Sequence, residues 1–236
     1  MPHHPPPLIV ALDVPGLTEA QRAVDQLPDE VMWYKVGLEL FTAAGPEAIH
    51  FLRQAGKHVF LDLKLHDIPN TVASAVEAAA AHDVQLLTVH TVGGKRMMAA
   101  AVEAARKTGS QAPKLIGVTT LTSLTEADLA DVGIHRSVPE QALALGQLAL
   151  ESGLDGLVCS AQEVDALRHV FGPAPVLVTP GIRLPGEAAA DQRRIATPTD
   201  ALRRGASYLV VGRSLLQAPD PAAQARRLLD LIQAEQ

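Results

Sequence analysis

The sequence contains a single cysteine, Cys159, among its 236 residues. One thiol cannot form an internal disulfide framework or a thiolate metal site, so a reducing compartment is the default expectation. We interpret Cys159 as a small buried core residue rather than a nucleophile, because no base is assigned next to it.

Long apolar runs and an excess of basic residues are also missing. No stretch approaches the ~20 apolar residues of a membrane-spanning helix, and the start, MPHHPPPLIV, lacks the basic region and apolar segment of a signal peptide. Twenty Lys and Arg residues against 26 Asp and Glu residues give a net charge of −6. These absences predict a cytoplasmic protein whose main partner is neither nucleic acid nor a membrane.

Short apolar runs alternate along the chain with longer segments rich in Ala, Leu, Glu and Arg. The runs predict strands at 8–13, 32–37, 58–63, 85–90, 114–119, 155–159, 175–179 and 207–211. The longer segments predict helices at 18–27, 46–55, 70–81, 94–107, 139–152, 161–170 and 220–234. Continuous apolar strands that alternate with helices are typical of a parallel sheet buried on both faces.

Eight such units in a chain of this length predict an α/β fold, a (β/α)8 TIM barrel. A doubly wound open sheet is the alternative, but the first strand–helix junction, ALDVPGLTEA, has no GxGxxG fingerprint. We expect one domain over 1–236, with 1–7 as a flexible tail. The segment 186–205 is expected to lie partly on a long loop between the last two strands.

Polar residues interrupt the predicted strands at their C-terminal ends, the face on which barrel enzymes carry their active sites. They are Asp13, Lys35, Asp62, Lys64, His90, Thr119, Thr122, Arg183 and Arg213. One such residue could be a helix cap or a surface charge. The recurrence at corresponding strand ends predicts a functional site.

The block DLKLHD (62–67) places two carboxylates and an ammonium at the end of an apolar strand. In a regular strand Asp62 and Lys64 point to the same side, with α-carbons ~6.6 Å apart. Lys35 can approach the same point, and Asp67 lies past the strand end. Neighbouring carboxylates would keep both lysines protonated, which suits a proton donor. The alternative is a buried ion-pair network that only fixes the barrel mouth.

A phosphate site is predicted near GIR (181–183), ADQRR (190–194) and VVGRS (210–214), since barrels often bind phosphate after strands seven and eight. Gly212 allows close backbone approach, and Arg213 can donate two N–H groups. Gln192 can donate to phosphate or to a heterocycle, and Thr122 can read an amide edge. VGRS alone is a weak signal, since a Gly–Arg pair often forms only a turn.

A metal site receives little support from the sequence. No HxH or HExxH spacing occurs. Asp13, Asp62 and Asp67 could coordinate a divalent ion, but Lys35 and Lys64 would compete for those carboxylates. We therefore expect a site without metal.

Several blocks together resemble the orotidine 5′-monophosphate decarboxylase family in its shorter bacterial form. They are DLKLHDIPNT (62–71), TVHTVGG (88–94), TLTS (120–123), TPGIR (179–183), DQRR (191–194) and VVGRS (210–214). The resemblance runs from Asp13 to about Pro221. It implies a (β/α)8 barrel that dimerises with its active sites at the subunit interface. It also implies decarboxylation of orotidine 5′-monophosphate to uridine 5′-monophosphate without cofactor or metal.

The resemblance assigns roles to matching residues. Asp13 and Lys35 would contact the ribose, Asp62 would face the departing carboxylate, and Lys64 would protonate C6. Asp67 and Thr71 would reach the partner's site, Thr122 would read the pyrimidine, Gln192 would bridge base and phosphate, and Arg183, Gly212 and Arg213 would bind phosphate. Lys64, Asp62, Lys35 and Asp67 are thus the expected catalytic residues. The expected substrate-binding segment comprises Asp62, Leu63, Lys64, Leu65, His66, Asp67, Ile68, Pro69, Asn70 and Thr71.

Two other functions stay open. A related sugar-phosphate lyase or aldolase would use Mg²⁺ and an acidic residue near the end of strand four, where this chain has His90. A non-catalytic barrel that binds a phosphometabolite would need only the phosphate residues. It would leave the row of lysines and aspartates unexplained.

Overall fold

Eight parallel strands close into a barrel in the computed structural model, which describes residues 5–184 and 196–235. The strands are β1 (Leu8–Ala11), β2 (Trp33–Gly37), β3 (His58–Leu65), β4 (Leu86–His90), β5 (Lys114–Val118), β6 (Gly156–Val158), β7 (Val176–Thr179) and β8 (Tyr208–Val211). Strand β1 pairs with β2 and also with β8, where Leu8 lies opposite Leu209. The predicted (β/α)8 barrel is confirmed, and the open sheet is excluded because it would leave two edges.

Helices cover the outside of the barrel. Those of the described residues are α1 (Leu17–Asp25), α2 (Leu38–Ala44), α3 (Glu47–Gln54), α4 (Pro69–Ala80), α5 (Gly94–Lys107), α6 (Glu126–Asp131), α7 (Val138–Glu151), α8 (Val164–Phe171), α9 (Pro198–Arg203), α10 (Arg213–Leu216) and α11 (Pro221–Gln233). Within these ranges, no helix combines the length and apolarity needed to cross a bilayer.

Alternate residues of each strand pack into two different cores, which explains the continuous apolar runs. Ile9 of β1 and Phe60 of β3 belong to a cluster inside the barrel. Leu8 and Val10 belong to the larger cluster between the strands and the helices. Because both strand faces are buried, the strands carry apolar residues at nearly every position.

Helix starts follow the capping chemistry of the sequence. Thr125 caps α6 in a capping box with Asp128. Ser137 and Glu140 form the same arrangement at α7, and these hydrogen bonds lower the pKa of Glu140. Each box satisfies backbone N–H groups that the first helical turn leaves unpaired.

Several segments differ from the prediction; β3, for example, ends at Leu65 rather than at 63. Helix α2 follows β2 directly and was not predicted, because its seven residues between Gly37 and Gly45 are too few to establish a helical period. Helix α8 begins at Val164 rather than at 161, because Ser160–Glu163 forms a turn in which the Glu163 carboxylate accepts the Ser160 N–H.

Parts of the predicted tail and loop lie outside the described residues. Residues 1–4 and 185–195 are not described, and α9 occupies the last part of the segment 186–205. The Leu209 N–H donates to the Pro7 carbonyl at 2.8 Å, one residue before β1. The flexible tail over 1–7 and the single domain over 1–236 stay predictions.

Candidate active site

A cavity of about 370 Å³ lies at the end of the barrel formed by the C-terminal ends of the strands. The residues that line it come from β1, β2, β3, β5, β6, β7 and β8 or from the segments that follow these strands. Eight of the residues singled out in the sequence are among them: Asp13, Lys35, Asp62, Lys64, Thr122, Arg183, Gly212 and Arg213. Seven of them are polar residues predicted at strand ends, which do meet around one cavity, whereas His90 and Thr119 do not line it.

Four charged side chains form an alternating row along one wall of the cavity. The Lys35 ammonium donates to Asp13 Oδ1 at 2.8 Å and lies 3.7 Å from Asp62 Oδ2. The Lys64 ammonium lies 2.9 Å from both oxygens of Asp62. Each inner group therefore has neighbours of opposite charge, so the row places two ammonium groups and two carboxylates in contact without net charge.

The middle of this row is buried and its ends are more exposed. The side chains of Lys35 and Asp62 are 11% and 13% exposed, against 30% for Lys64 and 47% for Asp13. Water screens buried charges only slightly, so such charges interact more strongly with one another. Lys64 thus presents an ammonium to the cavity while the buried pair behind it fixes its carboxylate partner.

Gly37 makes room for the charged row. A Cβ atom at this position would lie 2.6 Å from Lys35 Nζ and 3.1 Å from Asp13 Oδ1. Any larger residue would therefore force the Lys35 ammonium away from its partners. Sequence reasoning missed this requirement, because a glycine at a strand end is equally typical of a simple turn.

Lys64 reaches Asp62 by a route that differs from the one predicted. Its φ is +50°, in the left-handed region, and the pairing of β3 with β4 shifts register between Leu61 and Leu65. The expected regular alternation from Asp62 to Lys64 is therefore wrong, although the two side chains do meet. Non-glycine residues in this region carry a strain of order 1–3 kcal/mol that surrounding contacts must hold.

Thr88 of β4 is a buried polar residue at this site that sequence reasoning did not single out. Its hydroxyl accepts the Lys64 backbone N–H at 2.8 Å and donates to Asp62 Oδ1 at 3.1 Å. The residue has no exposed surface. The available signal was weak, a single hydroxyl within the apolar strand LLTVH.

The arginines that follow β7 and β8 also line the cavity. Arg183 is 7% exposed, and its Nη1 donates to the Ile182 carbonyl at 2.9 Å and contacts Ser214 Oγ at 3.5 Å. Gly212 and the exposed Arg213 follow β8 directly. Two guanidinium groups at one wall provide donors suited to a dianionic group. Gln192 lies outside the described residues.

Residues 63 and 65–71, on either side of Lys64, do not line this cavity. Leu63 and Leu65 pack against the core between strands and helices. The remaining members are His66, Asp67, Ile68, Pro69, Asn70 and Thr71, and all but Pro69 are exposed. Asp67 Oδ1 accepts the Ile68 N–H. Substrate binding by this segment stays a prediction, since none of these residues lines the cavity of their own chain.

His66 of this segment lies next to His90, the last residue of β4. The rings of His66 and His90 are 5.6 Å apart. Burial lowers the pKa of His90, and the neighbouring His66 and Lys64 lower it further. Across residues 5–184 and 196–235, no group of three or more His, Cys, Asp or Glu side chains is arranged to hold a metal ion.

The lowered pKa of His90 predicts a loss of stability in mild acid. Below the ordinary histidine pKa of about 6.5 the unfolded chain binds a proton that folded His90 resists, so the free energy of unfolding falls as pH decreases. His58, whose pKa burial also lowers, contributes in the same sense. Urea unfolding between about pH 5 and 7 should show a shallower pH dependence for His90→Gln than for the wild type. An unchanged slope would contradict this, and His135→Gln, at an exposed position, controls for loss of a histidine.

Comparison with known proteins places these features in a family. The model of the orotidine 5′-phosphate decarboxylase / HUMPS family matches residues 6–228. A relative from Moorella thermoacetica named orotidine 5′-phosphate decarboxylase is 50% identical over 226 residues, covering 94% of this chain and 90% of the relative. One of the same name from Opitutus terrae is 47% identical over 224 residues, covering 94% and 96%.

A solved structure shares the fold of this chain. The crystal structure of orotidine 5′-phosphate decarboxylase from Lactobacillus acidophilus superposes with a TM-score of 0.85 at 38% sequence identity. The match covers 97% of this chain and 98% of that one. The likeness therefore spans the whole barrel and not only the blocks around the cavity.

Proposed function

The chain belongs to the orotidine 5′-phosphate decarboxylase / HUMPS family, and we propose that it converts orotidine 5′-monophosphate into uridine 5′-monophosphate and CO2 in pyrimidine biosynthesis. The observation that carries the proposal is the alternating row Asp13, Lys35, Asp62 and Lys64 at the wall of the cavity. A protein that only binds a phosphometabolite has no use for this row. The decarboxylase name of the curated relatives also favours this reaction over a sugar-phosphate lyase.

Lys64 is the proposed proton donor. When the bond between C6 and the carboxyl carbon breaks, the electron pair stays on C6 and CO2 leaves. The pyrimidine ring delocalises that pair poorly, so a nearby fixed positive charge lowers the barrier. A proton then passes from the Lys64 ammonium to C6, and solvent reprotonates the amine.

Asp62 is proposed to hold this ammonium and to face the departing carboxylate. Both of its oxygens lie 2.9 Å from Lys64 Nζ. Because Asp62 is itself held by Lys35, the pair cannot easily turn toward water when substrate arrives. The field around C6 would thus be organised before the reaction begins, which avoids the cost of reorienting dipoles during it.

The remaining contacts are proposed to bind the nucleotide. Asp13 and Lys35 would take the ribose hydroxyls, Thr122 would read the pyrimidine edge, and Gln192 would bridge base and phosphate. Arg183, Arg213 and the Gly212 backbone would bind the phosphate. These contacts are remote from the bond that breaks, yet binding energy gained there can help to position C6 against Lys64.

The reaction is proposed to need no cofactor and no metal. The test is the loss of orotidine 5′-monophosphate absorbance on adding purified protein in the presence of EDTA. Turnover in chelator is expected. No turnover by folded protein, followed by activity on a keto-sugar phosphate after Mg²⁺ is added, would instead support the sugar-phosphate lyase.

We further propose that the protein is a cytoplasmic homodimer whose active sites take residues from both chains. The support lies in the segment around Asp67, which follows Lys64 closely in the chain and leaves most of its side chains exposed. Large apolar side chains occur in the same region: Leu38, Ile68 and Val92 are 56%, 67% and 46% exposed. A second copy that covered these residues could receive Asp67 and Thr71 next to its own Lys64.

Hybrid dimers test the shared site. Asp67→Ala and Lys64→Ala chains should each be nearly inactive alone, because every site lacks one catalytic group. Mixing and refolding them should restore part of the activity, since one of the two sites in a hybrid would take both wild-type residues. The specific activity of the mixture, compared with the unmixed variants, is the measurement. A mixture no more active than its components, although hybrid dimers form, would contradict the shared site.

A further inference from the structure

We propose that Thr88 is a positioning residue whose hydroxyl sets both the backbone of Lys64 and the carboxylate of Asp62. The inference rests on the proposed function and concerns a residue that does not line the cavity. Thr88 lies in β4, one strand away from the residues that it would organise.

The polarity of the Thr88 hydroxyl is fixed by its two partners. It accepts the Lys64 N–H at 2.8 Å, so its own proton is available for the second contact. That proton points to Asp62 Oδ1 at 3.1 Å, since a carboxylate oxygen accepts and cannot donate when ionised. One hydroxyl therefore connects the main chain at Lys64 with the side chain that pairs with the Lys64 ammonium.

The backbone of Lys64 needs such a partner. The register shift between Leu61 and Leu65 interrupts the regular β3–β4 pairing at this point, and φ of +50° places Lys64 in a conformation that few non-glycine residues adopt. The interruption takes the Lys64 N–H out of the main-chain pairing between β3 and β4, and this N–H donates to the Thr88 hydroxyl instead. Without it, the strained turn has one less contact to hold it in place.

The carboxylate of Asp62 gains a third hydrogen bond from the same group. Its Oδ1 receives Lys64 Nζ and Thr88, while its Oδ2 receives Lys64 Nζ and faces Lys35. The Thr88 contact comes from a rigid strand and not from a flexible lysine. It therefore fixes the rotation of the carboxylate more closely than the ammonium groups can.

Other buried threonines of the barrel differ in what their hydroxyls bond. Thr91 Oγ1 donates to the Val118 carbonyl at 2.8 Å, and Thr119 Oγ1 donates to the Val158 carbonyl at 3.1 Å. Those bonds join main-chain segments only. The Thr88 hydroxyl bonds to a charged side chain of the proposed catalytic row, which separates its role from general packing.

Two opposite substitutions test this role. Thr88→Val keeps the shape and removes the hydroxyl, whereas Thr88→Ser keeps the hydroxyl and removes a methyl group. We expect Thr88→Val to lower kcat about 10- to 30-fold, as expected for loss of a hydrogen bond to a charged group. KM and the dissociation constant of uridine 5′-monophosphate should change little, and Thr88→Ser should retain most of the wild-type kcat.

The matched control is Thr91→Val, which removes a buried hydroxyl that bonds only a carbonyl. It is expected to lower stability without the selective loss of kcat. If Thr88→Val is active and Thr88→Ser is impaired, the methyl group matters and the proposal is overturned. If Thr88→Val does not fold, Thr88→Cys decides: its weaker donor should give a lower kcat than Thr88→Ser, and equal rates would overturn the proposal.

A structural measurement separates this inference from the proposed function. The crystal structure of Thr88→Val should show Lys64 Nζ or the Asp62 carboxylate displaced from their 2.9 Å contact. That readout is independent of turnover. If the wild type does not decarboxylate the nucleotide, the proposed function fails. If the wild type does so and the variant keeps both geometry and kcat, only the role of Thr88 fails.

Discussion

Replacing Lys64 by alanine is expected to reduce decarboxylation by roughly 10⁴-fold or more while the barrel stays folded. The variant would lose the charge that stabilises the C6 anion and the proton that quenches it, and each is commonly worth about 10²-fold or more. Asp62 would keep Lys35 and Thr88 as partners, so its buried negative charge would still be compensated. The measurement is single-turnover absorbance loss at saturating orotidine 5′-monophosphate.

The control for Lys64→Ala is a lysine outside the cavity. Lys107→Ala removes an exposed ammonium that pairs with Glu103 on α5 and should leave the rate unchanged. Binding of uridine 5′-monophosphate should persist in Lys64→Ala, because the proposed ribose and phosphate contacts are intact. Near-wild-type turnover by Lys64→Ala would refute the proton-donor role and leave the charged row as a structural ion-pair network.

Replacing Arg213 by alanine is expected to lower kcat/KM on the nucleotide about 100-fold. A charge-assisted, bidentate contact contributes about 1.5–3 kcal/mol or more, and Arg213 faces the cavity beside Arg183 and Gly212. The phosphate-free nucleoside cannot make that contact. We expect the nucleoside to be decarboxylated much more slowly than the nucleotide, and at the same rate by the wild type and the variant.

The comparison of two substrates makes this test specific for the phosphate. Equal losses of kcat/KM on nucleotide and nucleoside would mean that Arg213 acts on the fold or on the base. That result would contradict the assignment of Arg213 to the phosphate. Arg227→Ala, at an exposed position on α11, controls for the loss of one positive charge. It should leave both rates as in the wild type.

The sequence determined the fold class and most of the site because the relevant signals are local. Strands such as β1 carry apolar residues that pack on both faces, inside the barrel at Ile9 and under the helices at Leu8 and Val10. Polar residues at strand ends, such as Asp13 and Arg213, share one face because parallel strands end together. The Thr125 cap could also be read from neighbouring residues alone.

Only the tertiary structure decided how the site is assembled. Closure between β1 and β8 joins residues about two hundred positions apart, the left-handed turn at Lys64 depends on the register of β3 against β4, and the Thr88 hydroxyl acts across that shift. Periodicity reports which face of a strand is buried. It carries no information on which atom of a neighbouring strand will lie within hydrogen-bonding distance, because that is set by how the whole barrel closes.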